Sequence, residues 1–176
     1  MNFLSRYGPW ALISGASSGF GAEYARQLAE KGLHLILVAR RQDRLEALAQ
    51  EIRVKHDVQI HLVPLDITQV SWLSTLRECV GEREVGLLVN NAGFGKVGPF
   101  LAMSPQELAQ MVRLNVEAVT LLARDYLPAM KEHGRGGMIV LASAAGYQPT
   151  PWMAAYGATK GYDLLLGESL STELAD

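Results

Sequence analysis

The stretch Ala11-Leu12-Ile13-Ser14-Gly15-Ala16-Ser17-Ser18-Gly19-Phe20-Gly21 decides the fold. Three apolar residues run straight into a glycine-rich turn, and Ala22–Lys31 follows with helical period. In a strand–turn–helix of this kind, backbone N–H groups and a helix N-terminus converge on one point. A pyrophosphate is the ligand such a point suits. Glycine is needed there where φ is positive or where a side chain would bar the phosphate. Gly15, Gly19 and Gly21 do not have the G-x-G-x-x-G spacing. They fit a longer dinucleotide turn, T-G-x-x-x-G-x-G, with Ser14 for threonine and Phe20 for the usual isoleucine. Gly15, Ser17, Ser18, Gly19, Phe20 and Gly21 are therefore the first expected cofactor-binding residues.

Outward from this turn, apolar runs alternate with amphipathic ones. The runs Trp10–Ser14, His34–Ala39, Gln59–Pro64, Val85–Asn90 and Gly137–Ala142 read as strands. Most are nearly continuous Val, Ile and Leu, as in parallel strands buried on both faces. Between them lie helices. Ala22–Lys31 ends at Gly32 as its C-cap, and Asp43–Lys55 carries Leu45, Leu48, Ala49 and Ile52 on one stripe. Thr68–Gly81 is a third. Ser104-Pro105-Gln106-Glu107 is a capping box with proline at the first helical position. It opens a helical stretch toward Lys131, bent or broken near Asn115. Alternation of this kind means an α/β fold, a Rossmann-like doubly wound parallel sheet in strand order 3-2-1-4-5. No repeat or linker interrupts it, so residues 1–176 read as a single NAD(P)-binding Rossmann domain.

Composition narrows the function classes. The 176 residues are 49% hydrophobic and 19% charged, an ordinary globular balance. Net charge is −2 with no basic block, which argues against nucleic acid or an anionic membrane as partner. No apolar run approaches the ~20 residues of a membrane span, and Met1–Arg6 lacks a signal-peptide core. A cytoplasmic protein is expected. Cys79 is alone, so no internal disulfide forms, and it reads as a small core residue. His34, His56, His61 and His133 have no metal-ligand spacing, and no metal is expected.

The second strand ends Leu37-Val38-Ala39-Arg40-Arg41. An NAD-preferring Rossmann site has an acidic residue here for the ribose 2′-hydroxyl. Ala39 is neutral, and a guanidinium suits a 2′-phosphate. NADP(H) is therefore preferred and NAD(H) admitted, the preference resting mainly on Arg40. Arg41 is the weaker candidate, closer to a solvated surface charge. Asp66-Ile67, after the third strand, are placed to accept the adenine amino group and line its ring. Asp66 also suits a turn or a helix cap.

Four further features complete a set: Asn90-Asn91-Ala92-Gly93 after the fourth strand, Asn115, Ser143 just past the fifth, and Tyr156-x-x-x-Lys160. A Tyr and a Lys four apart on a helix share one face. Alone they are usually an amphipathic surface pair. In this order the chain resembles the short-chain dehydrogenase/reductase family over its whole length. The resemblance implies an NAD(P)(H)-dependent interconversion of carbonyl and alcohol. It implies Tyr156 as general acid or base and Lys160 as the cation that favours its phenolate. Lys160 would also bind the nicotinamide ribose. Ser143 would hold the substrate oxygen, and Asn115 would fix a water that relays protons to Lys160. Asn91, Ala92 and Gly93 would lie along the adenosine ribose and brace the sheet. Tyr147, Trp152 and Met153 flank this set and are candidates for shaping a substrate pocket.

The same resemblance implies a sixth and a seventh strand, a Pro-Gly turn and a substrate lid after the helix that carries Tyr156. None follows within the 176 residues. The expectation is a domain incomplete at its C-terminus, part of a longer enzyme, with the fifth strand as an apolar edge. A second class stays open: a non-catalytic dinucleotide-binding or protein-interaction module. The partner expected for the enzyme is a small-molecule carbonyl or alcohol. A homodimer or homotetramer through the long helix after the fourth strand and the helix of Tyr156 is plausible for the family.

Overall fold

The computed structural model describes residues 2–175. Five strands form one sheet, all parallel, in the order β3-β2-β1-β4-β5. They are β1 (Trp10–Ser14), β2 (His34–Ala39), β3 (Ile60–Pro64), β4 (Val85–Asn90) and β5 (Gly137–Val140). The helices are α1 (Phe3–Tyr7), α2 (Gly19–Glu30), α3 (Gln42–Lys55), α4 (Trp72–Val80), α5 (Pro105–Val112), α6 (Ala118–Glu132) and α7 (Ala154–Glu173).

The sheet is buried on both faces because its central strands are apolar along their lengths, with polar residues only at their ends, Ser14, His34 and Asn90. Side chains alternate across a strand. So Ala11, Ile13, Leu35, Leu37, Leu87 and Val89 enter one core, with Leu28 of α2 and Leu45, Leu48 and Ile52 of α3. Leu12, Ile36, Val38, Val85 and Leu88 enter the other, with Trp72 and Leu76 of α4 and Leu122 of α6. Every residue of β1 and β4 is buried. The edge strands β3 and β5 are mostly half-buried. The uniform burial that the apolar runs suggest thus holds for the centre of the sheet and not for β5.

Element bounds moved where local polar bonds intervened. The fifth strand stops at Val140: Leu141 N–H makes the last bond to β4, at Asn90 O, and Ala142 N–H, on the open edge, donates back to Val140 O. The third starts at Ile60, one residue late. The helix expected over Thr68–Gly81 begins only at Trp72. Asp66 Oδ1 first gathers Thr68 N–H (3.0 Å) and its hydroxyl (2.7 Å) into a turn. Ser71 is then left-handed, with φ of 64°. α2 is capped at Lys31, with Gly32 one residue beyond. α1 was not foreseen. Asn2 caps it through a 2.7 Å bond from Ser5 N–H. The capping box at Ser104–Glu107 is present with both reciprocal bonds. The break near Asn115 is a π-helical turn, Arg113–Glu117, between α5 and α6.

Candidate active site

The C-terminal ends of β1, β2, β4 and β5 open on one cleft of about 560 Å³. This is where a doubly wound sheet places its ligand. Gly15, Ser17, Ser18, Phe20, Arg40, Arg41, Asp66, Ile67, Asn91, Ala92 and Gly93 line it at one end, and Tyr156 and Lys160 at the other. Residues spread over 146 positions of the chain therefore meet at one surface.

The turn is built for close approach. Gly15 has φ of 70°, and a Cβ there would meet Ala92 Cα at 2.8 Å. Asn91 Nδ2 donates to Ser14 O at 2.8 Å and Gly15 O at 3.2 Å. Ser14 Oγ in turn accepts from Asn91 N (3.1 Å) and Ala92 N (3.0 Å). The turn after β1 and the loop after β4 are thus one bonded unit. Ser14 makes that bond with the hydroxyl it shares with threonine. The N-cap of α2, Ser18, makes no side-chain cap bond. The first N–H groups of α2 thus have no side-chain partner at the end of the helix where the dipole favours an anion, and Ser18 and Phe20 line the cleft there while Gly19 and Gly21 do not.

The two arginines divide differently from expectation. Arg41, the weaker candidate, donates to Ser17 Oγ at 2.9 Å and Ser18 Oγ at 2.8 Å. Arg40 reaches only Asp66, at 4.0 Å, with its side chain 67% exposed. Burial pushes the Asp66 carboxyl up, but the Thr68 hydroxyl and N–H and the Arg40 charge together hold it below its ordinary value. Its Oδ1 serves the turn.

At the other end, α7 places Tyr156 and Lys160 on the cleft side. Gly95 lies under the tyrosine ring: a Cβ there would meet Tyr156 Cδ2 at 2.7 Å. Lys160 Nζ donates to Leu141 O at 2.6 Å and pairs with Asp163 Oδ2 at 2.8 Å. Ser143 Oγ accepts from Ala145 N–H at 3.2 Å, capping the short turn Ala144–Gly146 that packs on α7. Asn115 is fully buried and does not line the cleft. Its Nδ2 donates to Phe94 O (2.9 Å) and Thr159 Oγ1 (3.0 Å), while Oδ1 accepts from Phe94 N (3.1 Å). Both amide protons are committed, while Oδ1 accepts a single bond, so a water could meet the side chain only by donating to the remaining lone pair of Oδ1. Tyr147 and Trp152 are exposed, and neither they nor Met153 lines the cleft.

Sequence reasoning missed Ser14 as a brace, Gly95, Thr159 and Asp163. Asp163 carried a signal: it is an acid three residues past Lys160, immediately before Leu164-Leu165-Leu166. Among the described residues, no helix is long and apolar enough to cross a membrane.

A dinucleotide fits these residues on observed grounds. Gly15 lets the turn close against Ala92, Gly19 beside it has open space where a Cβ would stand, the N-terminus of α2 has no side-chain cap, and two guanidiniums stand at the end of β2. The comparisons with known proteins agree in fold. Inactive hydroxysteroid dehydrogenase-like protein 1 of Homo sapiens is 32% identical over 164 residues, 92% of this chain and 50% of that protein. The chain thus spans about half the length of that curated relative. The bulky-bulky ketone specific alcohol dehydrogenase of Comamonas testosteroni superposes with a TM-score of 0.90 at 37% identity, covering 96% of this chain and 68% of that one. The short-chain dehydrogenase of Sphingobium yanoikuyae in complex with NADPH gives a TM-score of 0.90 at 36% identity, covering 96% and 66%. A family model described as short chain dehydrogenase matches residues 9–176, and the chain belongs to that family.

Proposed function

We propose that this chain carries the cofactor site and the acid/base set of an NADP(H)-dependent oxidoreductase that interconverts a carbonyl and an alcohol. The observation that carries the reading is the shared cleft: Tyr156 and Lys160 line the same cavity as Gly15, Ser17, Ser18 and Phe20 of the turn and the two arginines. When bound, the nicotinamide supplies or takes the hydride. The protein supplies orientation and the proton.

In this reading the turn Gly15–Gly21 and the N-terminus of α2 hold the pyrophosphate. Arg41 and Ser17, with Arg40, hold a 2′-phosphate. Asp66 and Ile67 take the adenine, and Asn91, Ala92 and Gly93 run along the ribose. The Tyr156 hydroxyl gives a proton to the carbonyl oxygen in reduction and removes it in oxidation. The Lys160 ammonium favours the phenolate by opposite charge and bonds the nicotinamide ribose. Ser143 orients the substrate oxygen. Asn115 acts as a brace, fixing the loop at Phe94 and α7 at Thr159. The NADPH of the Sphingobium yanoikuyae structure supports the cofactor assignment.

One observation favours a second reading, a dinucleotide-binding module without turnover: the human relative is itself named inactive. The test separates the two. The chain is titrated with NADPH and NADH by calorimetry, then screened for NADPH oxidation against ketones of graded bulk. Tight NADPH binding with turnover that Tyr156→Phe abolishes, while sparing NADPH binding, is the expected result. Turnover unchanged in Tyr156→Phe overturns the mechanism. NADPH binding without turnover on any ketone supports the module.

A further inference from the structure

Lys160 and Asp163 form a largely buried ion pair at the edge of the cleft. Nζ and Oδ2 are 2.8 Å apart, and the side chains are 7% and 1% exposed. The second carboxylate oxygen, Asp163 Oδ1, is buried without a hydrogen-bond partner among the described residues. Burial pushes the Asp163 carboxyl up, and Lys160 pulls the other way. A buried carboxylate with one oxygen unsatisfied destabilises a fold, and an apolar residue of like volume would serve packing better. The fold therefore does not explain Asp163; its neighbour does.

Among the described residues, Lys160 is the one cation paired with that carboxylate. The elements packed most closely against α7 are α5, the π-helical turn, the Ala144–Gly146 turn and β5, and α6 meets it through Thr120 and Tyr162. Of their charged side chains, Glu107 is paired with Lys96, and Arg113 and Glu117 are exposed. Lys160 is held from two directions, by Leu141 O at 2.6 Å and by Asp163 Oδ2 at 2.8 Å. An ammonium has three protons. The third is left for the cleft, which Nζ reaches beside Gly93, 3.5 Å from where a Cβ would stand.

We propose that Asp163 is the positioning residue for Lys160, fixing the ammonium so that its free N–H points at the nicotinamide-ribose end of a bound dinucleotide. A lysine stem has four rotatable bonds, and a second anchor removes the freedom that binding would otherwise have to remove. The inference rests on the dinucleotide reading given above. Asp163 touches neither end of the ligand and acts only through Lys160.

The experiment compares two probes on the full chain by calorimetry. NADPH spans the whole cleft. Adenosine 2′,5′-bisphosphate fills only the end at the Gly15 turn and the arginines. Asp163→Leu is expected to weaken NADPH about tenfold, the loss of one charge-assisted bond, and to leave the bisphosphate within twofold. Asp163→Asn, which keeps an acceptor at the same reach, is expected to recover most of that loss. If the leucine variant does not fold, Asp163→Ser, which admits water beside the ammonium, takes its place with the same expectation. A folded variant that binds NADPH as the unaltered chain does overturns the inference. So does an equal loss for both probes, which marks a structural role. Failure of the unaltered chain to bind either probe overturns the dinucleotide reading itself, and this inference with it.

Discussion

The side-chain amide of Asn115 donates to the hydroxyl of Thr159 at 3.0 Å, tying the π-helical turn to α7 beside Lys160. The same amide closes a two-way bond with the backbone of Phe94. Asn115 is thus the point where the loop after β4 and the helix of Tyr156 are fixed to each other.

Removing that amide leaves the partly buried Phe94 N–H and C=O without their side-chain partner. Asn115→Ala is expected to lower stability by about 3 kcal/mol, from several unmade bonds of ~1 kcal/mol or more each. Thr159→Val removes one of them and should cost about 1 kcal/mol. Urea unfolding followed by circular dichroism measures both. Equal stability of Asn115→Ala and the unaltered chain would contradict the brace.

The bonds of Arg41 to Ser17 and Ser18 hold its guanidinium over the phosphate turn, while Arg40 extends toward solvent. A pre-placed fork loses less entropy on binding a phosphate. Arg41→Ala should therefore lower the NADPH/NADH affinity ratio by about tenfold, and Arg40→Ala by less. Calorimetry with the two cofactors decides, and a larger effect at Arg40 would restore the expectation from sequence.

The buried pair of Lys160 and Asp163 should be costly to break and cheap to delete. Asp163→Leu alone strands the ammonium at a site where its side chain is 7% exposed, and should destabilise by about 3 kcal/mol. Lys160→Met together with Asp163→Leu should regain most of that. A double-mutant cycle in urea gives the coupling. Strict additivity would show that the two residues do not interact.

His61, on the edge strand β3, gives a pH test. Burial first, and the Arg83 charge second, hold its imidazole below the ordinary value. The unfolded chain then takes up the proton before the native one. Stability is full above the unfolded value of ~6.5 and falls as pH drops from there through the lowered native value. Unfolding at pH 7.5, 6.5 and 5.5 should show this slope, and His61→Gln should flatten it. An identical slope in the variant would remove His61 as its source.

The strands β1, β2 and β4 were legible to the residue. Their alternate side chains both meet apolar cores, so the middle of each run must be apolar. The Leu45–Ile52 stripe of α3 was legible for the matching reason: one helical face meets one core. The edges were not. β5 reads as apolar through Ala142 yet ends at Val140: Leu141 N–H makes the last bond to β4, at Asn90 O, and Ala142 N–H on the open edge turns back to Val140 O. α1 escaped because five residues are too few to show a period.

Ser14 through Gly21, Asn91, Tyr156 and Lys160 are local patterns, and the sequence by itself determined them together with the parallel strand order. Their meaning lies in spacing along one chain, where backbone geometry allows few outcomes. What only the tertiary structure decided is which side chain bonds which across the fold. Arg41 rather than Arg40 reaches the turn's serines, Asn115 spends its amide on Phe94 and Thr159, and Asp163 rather than solvent holds Lys160. Those choices follow from rotamer and burial, which depend on neighbours tens of residues away, and one-dimensional spacing carries no record of them.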